Sequence, residues 1–340
     1  MVNSYIPGVY TSLEMSGIKY KTGAPGVVGI ALYDGSLAAG VTEIASPAAA
    51  TAKFGAKSVG EKLISLIFQN GASSVKAAVT ADDTKNGYAA AFALLMKEPD
   101  IYVITCDSTE ADVLSALLAA ISSGDESTKY RIGVVEGAGN TAALKALAAG
   151  LNSQRMIITT PVKNGGMGTA AALAGMIAGT ADPALPFGGA ELAGVTDELE
   201  EYTDDELNAL IGAGVTPVRR EGTAVCVVRA VTTRTKSGGT PDVSWRDVNT
   251  VLIADNVITQ VRGVLKGMFS RAKNTLRTRG AVRTQVVIEL EKKLDAGIID
   301  GYGDVSVTQD ENDPAVCLVS FEFSPASGMH QIIISAYITI

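Results

Sequence analysis

The sequence predicts an α/β protein: a parallel-rich sheet covered by helices, then a smaller α+β C-terminal domain, with extended β arms at both termini. Three observations support this. Between residues 75 and 177, near-continuous apolar strands alternate with Ala- and Leu-rich helical segments, the pattern of a sheet buried on both faces. After Ala181 that alternation stops; an acidic stretch, a hairpin-like pair and long polar helices replace it. Residues 2–11 and 331–340 are β-prone and carry no helix signal.

Each element has its own local reason. Residues 26–32 (GVVGIAL) read as an apolar strand. Pro47 follows Ser46 and suits a first helical position. Residues 57–69 form an amphipathic helix closed by Asn70 and Gly71, and 75–79 a strand. Helices at 88–96, 111–121, 141–151 and 169–177 then alternate with strands at 100–106, 130–135 and 155–161. Thr203 and Glu206 have capping-box spacing and open a helix at 204–211, which explains part of the acidic run from Asp197 to Glu206. Residues 215–218 and 224–232 read as a hairpin, and Asp247 to about Thr278 as one long helix. A further helix at 285–296 and strands at 305–308 and 316–323 complete the chain. The expected divisions are an arm at 1–20, a body at 21–194, a C-terminal domain at 195–325 and a second arm at 326–340.

Composition excludes much chemistry. The 340 residues include 28 basic and 36 acidic side chains, a formal charge of −8, which argues against nucleic acid as a partner. A single histidine, His330, rules out a zinc site built from several histidines and leaves one candidate for any catalytic triad. Cys106, Cys226 and Cys317 lie far apart with no CxxC, so neither a metal knuckle nor a redox pair is expected, and their sparseness fits a reducing compartment. The N-terminal residues lack the basic and apolar regions of a signal peptide. No apolar run reaches the roughly 18 residues of a membrane helix, so direct membrane insertion is not expected. No cofactor or metal is expected either.

One motif argues for an enzyme. Gly137-Ala-Gly139-Asn-Thr-Ala142 matches G-x-G-x-x-A between a strand and a helix, as in a Rossmann-like nucleotide-binding enzyme. The next strand, however, ends in Thr159-Thr160-Pro161, with no acid for a ribose, and the motif lies well inside the domain. A tight Gly-rich turn is the simpler reading.

Two other features point to association. Arg262, Lys266, Arg271, Lys273, Arg277, Arg279 and Arg283 run without an intervening Asp or Glu, on what reads as a basic helix of about six turns. Such a face fits an acidic partner surface. In the C-terminal arm, Ile332, Ile334, Ala336, Ile338 and Ile340 share one face; in the N-terminal arm Val2, Ser4 and Ile6 alternate, followed by Val9. Apolar strands at free ends call for pairing, here with sheets of neighbouring copies.

Several short motifs, taken in order, resemble one known family. They are Tyr5-Ile-Pro-Gly-Val-Tyr-Thr11; Ile44-Ala-Ser-Pro-Ala-Ala-Ala50 with Phe54-Gly55; and, between Tyr202 and Thr235, a Thr-Asp-Asp-Glu-Leu helix, Gly214-Val-Thr-Pro217 and Gly222-Thr-Ala-Val-Cys-Val-Val-Arg-Ala-Val-Thr-Thr-Arg-Thr235. Pro241-Asp-Val-Ser-Trp-Arg-Asp-Val-Asn249 then leads into a long helix. The chain resembles the tail sheath proteins of contractile phage tails and related phage-tail-like particles. That resemblance implies a structural protein without catalysis. It stacks as six-fold rings around an inner tube, contacts baseplate and tail terminator proteins, and is assembled in a host bacterial cytoplasm. On triggering, its subunits move outward, the sheath shortens, and the tube is driven through a target envelope. The resemblance also implies that 195–325 lies nearest the tube, that the basic residues 262–283 face it, and that strands such as 316–323 receive the arms.

Overall fold

The computed structural model describes residues 26–126, 130–163 and 167–329. The expected arm residues Val2, Ser4, Ile6, Val9, Ile332, Ile334, Ala336, Ile338 and Ile340 lie outside the described residues.

The body is built as the apolar alternation requires. In chain order it comprises β1 (Val27–Tyr33), β2 (Gly40–Ile44), α1 (Pro47–Phe54), α2 (Val59–Gln69), β3 (Ser74–Thr80), α3 (Lys85–Leu95), β4 (Val103–Cys106) and α4 (Ala111–Glu126). β5 (Ile132–Glu136), α5 (Thr141–Leu151), β6 (Met156–Thr159), α6 (Thr169–Gly179), α7 (Asp204–Gly212) and β7 (Val215–Thr216) follow. The strands form a seven-stranded sheet in the order β2-β3-β1-β4-β5-β6-β7. Only the β2–β3 pair is antiparallel.

Alternating side chains of each strand feed opposite faces. Val28, Ile30 and Leu32 of β1 join a core with α1, α2 and α6. Val27 and Ala31 join another with α3, α4, α5 and α7. The helices start where the sequence places caps: Ser46, Ser58, Thr84 and Asn140 each accept a backbone N–H of the first turn, and Pro47 opens α1. The capping box of Thr203 and Glu206 is formed.

Small residues set the closest approach. A Cβ added at Gly175 of α6 would lie 2.3 Å from the Ile67 carbonyl oxygen of α2. One at Gly179 would lie 2.6 Å from the Gly71 oxygen. The two helices therefore meet backbone to backbone, over a stretch where any larger residue would wedge them apart.

Pro217 breaks the predicted strand at 215–218. Val215 and Thr216 stay in the main sheet beside β6, while β8 (Val218–Glu221) turns away to pair with β9 (Ala224–Val227). The Val218 N–H donates to the Thr160 hydroxyl, and the Pro217 carbonyl accepts from Val228. The hairpin is real but starts at Val218, and the sheet runs past residue 195, where the body was expected to end.

The small β10 (Lys236–Ser237) and β11 (Thr240–Pro241) precede the C-terminal elements. The single long helix expected from Asp247 is corrected to two, α8 (Val248–Phe269) and α9 (Leu276–Asp295). The physical reason is a second cap: the Thr275 side chain accepts the Thr278 N–H, and Thr275 itself is extended. α9 then folds back so that Val286 and Leu290 meet Ile253, Val257 and Val261 of α8. The predicted strand 316–323 also divides, into β14 (Cys317–Ser320) and β15 (Phe323–Pro325). β14 pairs with β13 (Ser306–Gln309), and β15 with β12 (Ile299–Tyr302), each pair antiparallel.

A buried polar cluster fixes α8 to the body. Asp255 of α8 is 3% exposed and pairs with Arg155, itself 8% exposed, at the start of β6. The Tyr102 hydroxyl donates to the same carboxylate at 2.7 Å, and the Arg155 guanidinium lies 4.9 Å from the centre of the Tyr130 ring. Asn249 adds hydrogen bonds to the carbonyls of Pro183 and Leu185.

Two stability measurements test this packing. Gly175→Ala should destabilise the fold by about 1–3 kcal/mol through overpacking. Gly150→Ala, in α5 with open space around the added methyl, should stabilise it by up to about 1 kcal/mol. Equal effects in urea unfolding would contradict the close α2–α6 approach. Asp255→Ala should cost about 3–5 kcal/mol by leaving Arg155 buried and uncompensated, and Arg155→Met with Asp255→Leu should recover most of that loss. A double variant as unstable as the single one would place the cost elsewhere.

Candidate functional site

The basic residues lie around a helix junction, so the expected continuous basic helix is corrected to a turn flanked by two helix ends. Arg262 and Lys266 are on the second half of α8, Arg271 and Lys273 in the connection, and Arg277, Arg279 and Arg283 on α9. The turn is held in one shape. The Asn274 amide donates to the carbonyls of Pro314 and Val316, at 2.8 and 3.0 Å, joining the junction to the β13–β14 ribbon. Arg279 donates to Asn274 Oδ1 at 3.0 Å and to Gln309 Oε1 at 3.3 Å, and Arg283 Nε donates to the Val305 carbonyl at 2.8 Å.

The seven cations thus divide by job. Arg279 and Arg283 fasten α9 to the strands behind it. Lys266, Arg271, Lys273 and Arg277 are exposed, and none makes a hydrogen bond or ion pair with the described residues. Arg262 is exposed on α8. Four exposed like charges, two in the turn and one on each flanking helix, favour an acidic partner. Sequence reasoning found the charges and missed both the turn and its apolar content. Leu276 is 80% exposed and Met268 59% exposed, side by side in sequence with these cations. The Thr275-x-x-Thr278 spacing was the available signal for the turn.

Beside the junction, the β12–β15 and β13–β14 ribbons each contain only two strands among the described residues. Cys317 and Leu318 of β14 are exposed. Among the described residues, each ribbon has outer strand edges with no third strand beside them.

The Gly-rich turn at 137–142 has a different character from a phosphate seat. A Cβ at Gly137 would lie 2.3 Å from Leu144 Cδ2, so that glycine permits helix-to-strand packing. Gly139 has φ +84°, and Asn140 caps α5 with its own side chain at 3.0 Å from the Ala143 N–H. The cleft in front holds Glu200, Glu201 and Glu206, which repel a phosphate. Glu136, just before the turn, is buried and accepts N–H groups of Gly168, Thr169 and Ala170 at the start of α6. Burial pushes its carboxyl above the usual range, against the pull of those donors.

A second cleft, of about 380 Å3, lies at the carboxyl ends of β1 and β4, where open parallel sheets commonly bind ligands. Asp107 there accepts the Tyr88 hydroxyl at 2.5 Å and the Tyr33 N–H at 3.0 Å. Burial raises both the Tyr88 hydroxyl and the Asp107 carboxyl. The pair is satisfied within itself and offers a structural bond rather than a free base. Among the described residues no group of three or more His, Cys, Asp or Glu side chains gathers to hold a metal, and no helix is long and apolar enough to cross a membrane.

Comparison with known proteins identifies the family of the chain. Residues 77–233 match the family model of the phage tail sheath protein central domain, and residues 240–339 that of the phage tail sheath C-terminal domain. The anti-feeding prophage helical sheath in its contracted state matches with a TM-score of 0.73 at 17% identity, covering 98% of this chain and 99% of that one. The PVC sheath complex of an extracellular contractile injection system, also contracted, matches at 0.70 and 16% identity, covering 100% and 99%. The sheath tail protein of Desulfitobacterium hafniense matches at 0.67 and 12% identity, covering 94% and 100%. At such identities the likeness is one of fold. No curated protein sequence matches the chain. With both its central and C-terminal regions matched by sheath models, and the fold shared along nearly its whole length, the chain belongs to the contractile tail sheath family.

Proposed function

We propose that the chain is the repeating subunit of a contractile sheath and acts mechanically, without catalysis. Subunits stack as rings around an inner tube, and contraction drives that tube through a target envelope. The observation that supports the assembly is that, among the described residues, the ribbons β12–β15 and β13–β14 have two strands each, in a chain whose terminal segments are β-prone. Two-stranded ribbons are marginal alone, and a third strand from another copy would complete them. Residues 1–20 and 331–340 supply those strands. The arm residues on the pairing segments are Val2, Ser4, Ile6 and Val9 and, at the other end, Ile332, Ile334, Ala336, Ile338 and Ile340. Backbone pairing suits a moving lattice, because it is indifferent to side-chain register with the body.

Lys266, Arg271, Lys273 and Arg277, with Arg262, then face an acidic tube. Exposed ion pairs are worth about 0–1 kcal/mol each, so such a contact holds as a set and releases readily on contraction. Baseplate and terminator proteins meet the ends of the polymer. Assembly takes place in the cytoplasm of a bacterial host, and the product is a virion tail or a phage-tail-like particle.

Negative-stain microscopy of the purified chain tests the reading: tubes or rings are expected. Deletion of 1–20 or of 331–340 should abolish polymers while leaving the circular dichroism and melting temperature of the body unchanged. Continued polymerisation of both deletions would refute strand exchange. Separately, reversal of Arg271, Lys273 and Arg277 to Glu should prevent tube-templated extended sheath while polymers of sheath alone persist. Normal extended sheath in that variant would remove the tube assignment.

A further inference from the structure

Two turns of opposite charge lie side by side where α8, α9 and the β13–β14 ribbon meet. One is the α8–α9 turn with Lys266, Arg271, Lys273 and Arg277; the other, between β13 and β14, carries Asp310, Glu311 and Asp313. Asn274 ties the first to the second through the Pro314 and Val316 carbonyls. Each turn is also shaped from within. Thr275 caps α9, Asp310 accepts the Asn312 and Asp313 N–H groups, and Asp313 accepts that of Ala315. The charges themselves do not meet: none of these cations and acids makes an ion pair with the described residues. Exposed apolar side chains accompany both turns, Met268 and Leu276 beside the basic one, Val316 and Leu318 beside the acidic one. Val319 packs against the cluster shared by α8 and α9, so Leu318 next to it faces away from that core. Exposed apolar side chains rimmed by charge mark interaction surfaces.

We infer that this surface pairs with the same surface of a second copy, the basic turn of each lying on the acidic turn of the other and the apolar side chains enclosed between them. A two-fold contact needs a patch that complements itself, because whatever one copy contributes it also receives. Opposite charges held side by side on one fixed surface meet that need, and little ordering cost remains to be met on binding. The inference goes beyond the tube-facing reading and does not depend on it. Both contacts use Lys273 and its neighbours, so the paired form belongs to subunits that are not on a tube.

Complementarity selects this occupant over others within the chain. Residues 330–340 carry no acidic, lysine or arginine side chain, and residues 1–25 carry only Glu14, Lys19 and Lys21, so neither terminal segment matches both turns. The exposed acids of the body, Glu200, Glu201, Asp204 and Asp205, would match the basic turn and leave the acidic turn without a counter-charge. The two turns of a second copy match both, and they bring Leu276 and Leu318 against apolar groups of their own kind.

Charge exchange tests the pairing on the full chain, by sedimentation velocity at low ionic strength, where exposed ion pairs are least screened. Wild type is expected to self-associate. Lys273→Glu and Glu311→Lys should each weaken association by roughly tenfold or more, since every reversal counts twice in a two-fold contact. An equimolar mixture of the two variants should associate as wild type does: the first is acidic at both positions and the second basic at both, so opposite charges face each other again. Both side chains are exposed, and thermal scans should leave the variants melting with wild type. A second readout holds whatever the size of the particle. Isotopically light and heavy chains are mixed and treated with a carbodiimide, which joins a lysine amine to a carboxylate in contact with it. Peptides linking Lys273 to Glu311 or Asp313 across one light and one heavy chain are expected. A monomeric wild type, a mixture of variants no better than either alone, or links confined to single chains would overturn the inference. Links from Lys273 to Glu200 or Glu201 of another chain would also overturn it, because the basic turn would then sit on the body of its neighbour. None of these outcomes bears on whether the chain assembles around a tube.

Discussion

The buried pair of Arg155 and Asp255 is the joint on which the C-terminal half of the molecule depends. Burying two charges is costly unless geometry and further hydrogen bonds compensate. Here the Tyr102 hydroxyl satisfies a second position on the carboxylate, and the Tyr130 ring lies against the guanidinium. The three body residues stand at or near the starts of β4, β5 and β6: Tyr102 and Arg155 contact the carboxylate, and Tyr130 backs the guanidinium. An apolar contact of the same size would allow α8 to slide or rotate; this one fixes both its height and its azimuth. The described elements beyond residue 255 inherit that placement, because α9 packs on α8 and β12 and β13 pack on α9.

The same economy governs the cations. A run of basic residues on one continuous helix would point in every direction around its axis, at 3.6 residues per turn. Breaking the helix at 270–275 changes that. Arg279 and Arg283 turn inward to carbonyl and amide partners, and the remaining charges stay in solvent around the turn. The charge that stabilises the fold and the charge available to a partner are thereby carried by different residues.

Sequence reasoning reached the body because periodicity is a local property. Val28, Ile30 and Leu32 alternate with Val27 and Ala31, and each class went to its own face of the sheet. The caps were equally local: Thr203 and Glu206, or Ser46 before Pro47, need only a few neighbours to act. The misreadings arose where two local signals overlapped. Val215, Thr216 and Val218 are β-prone, and only Pro217 marks the place where one strand leaves the sheet and the next begins. Residues 262–283 keep a helical composition through the junction, and the Thr275 cap was masked by the continuity of basic residues. The Arg155–Asp255 pair spans 100 residues and has no signature in either neighbourhood. The exposure of Leu276 was hidden for the opposite reason, since an apolar residue in a helical pattern is ordinarily assigned to the core.

The two halves of the chain therefore stand in different thermodynamic positions. The body has a sheet covered on both faces and two large apolar clusters. Among the described residues, the region from α8 onward has one smaller buried cluster, Ile253, Val257, Val261, Val286, Leu290, Ile299 and Val305, and four short strands. Such a core leaves little stability in reserve. The proposed strand pairing with another copy would add to these ribbons, and their stability would then rise with the concentration of that partner. On that proposal, order in the ribbons is coupled to assembly, while the body, with its sheet covered on both faces, is the rigid piece for a lattice to move.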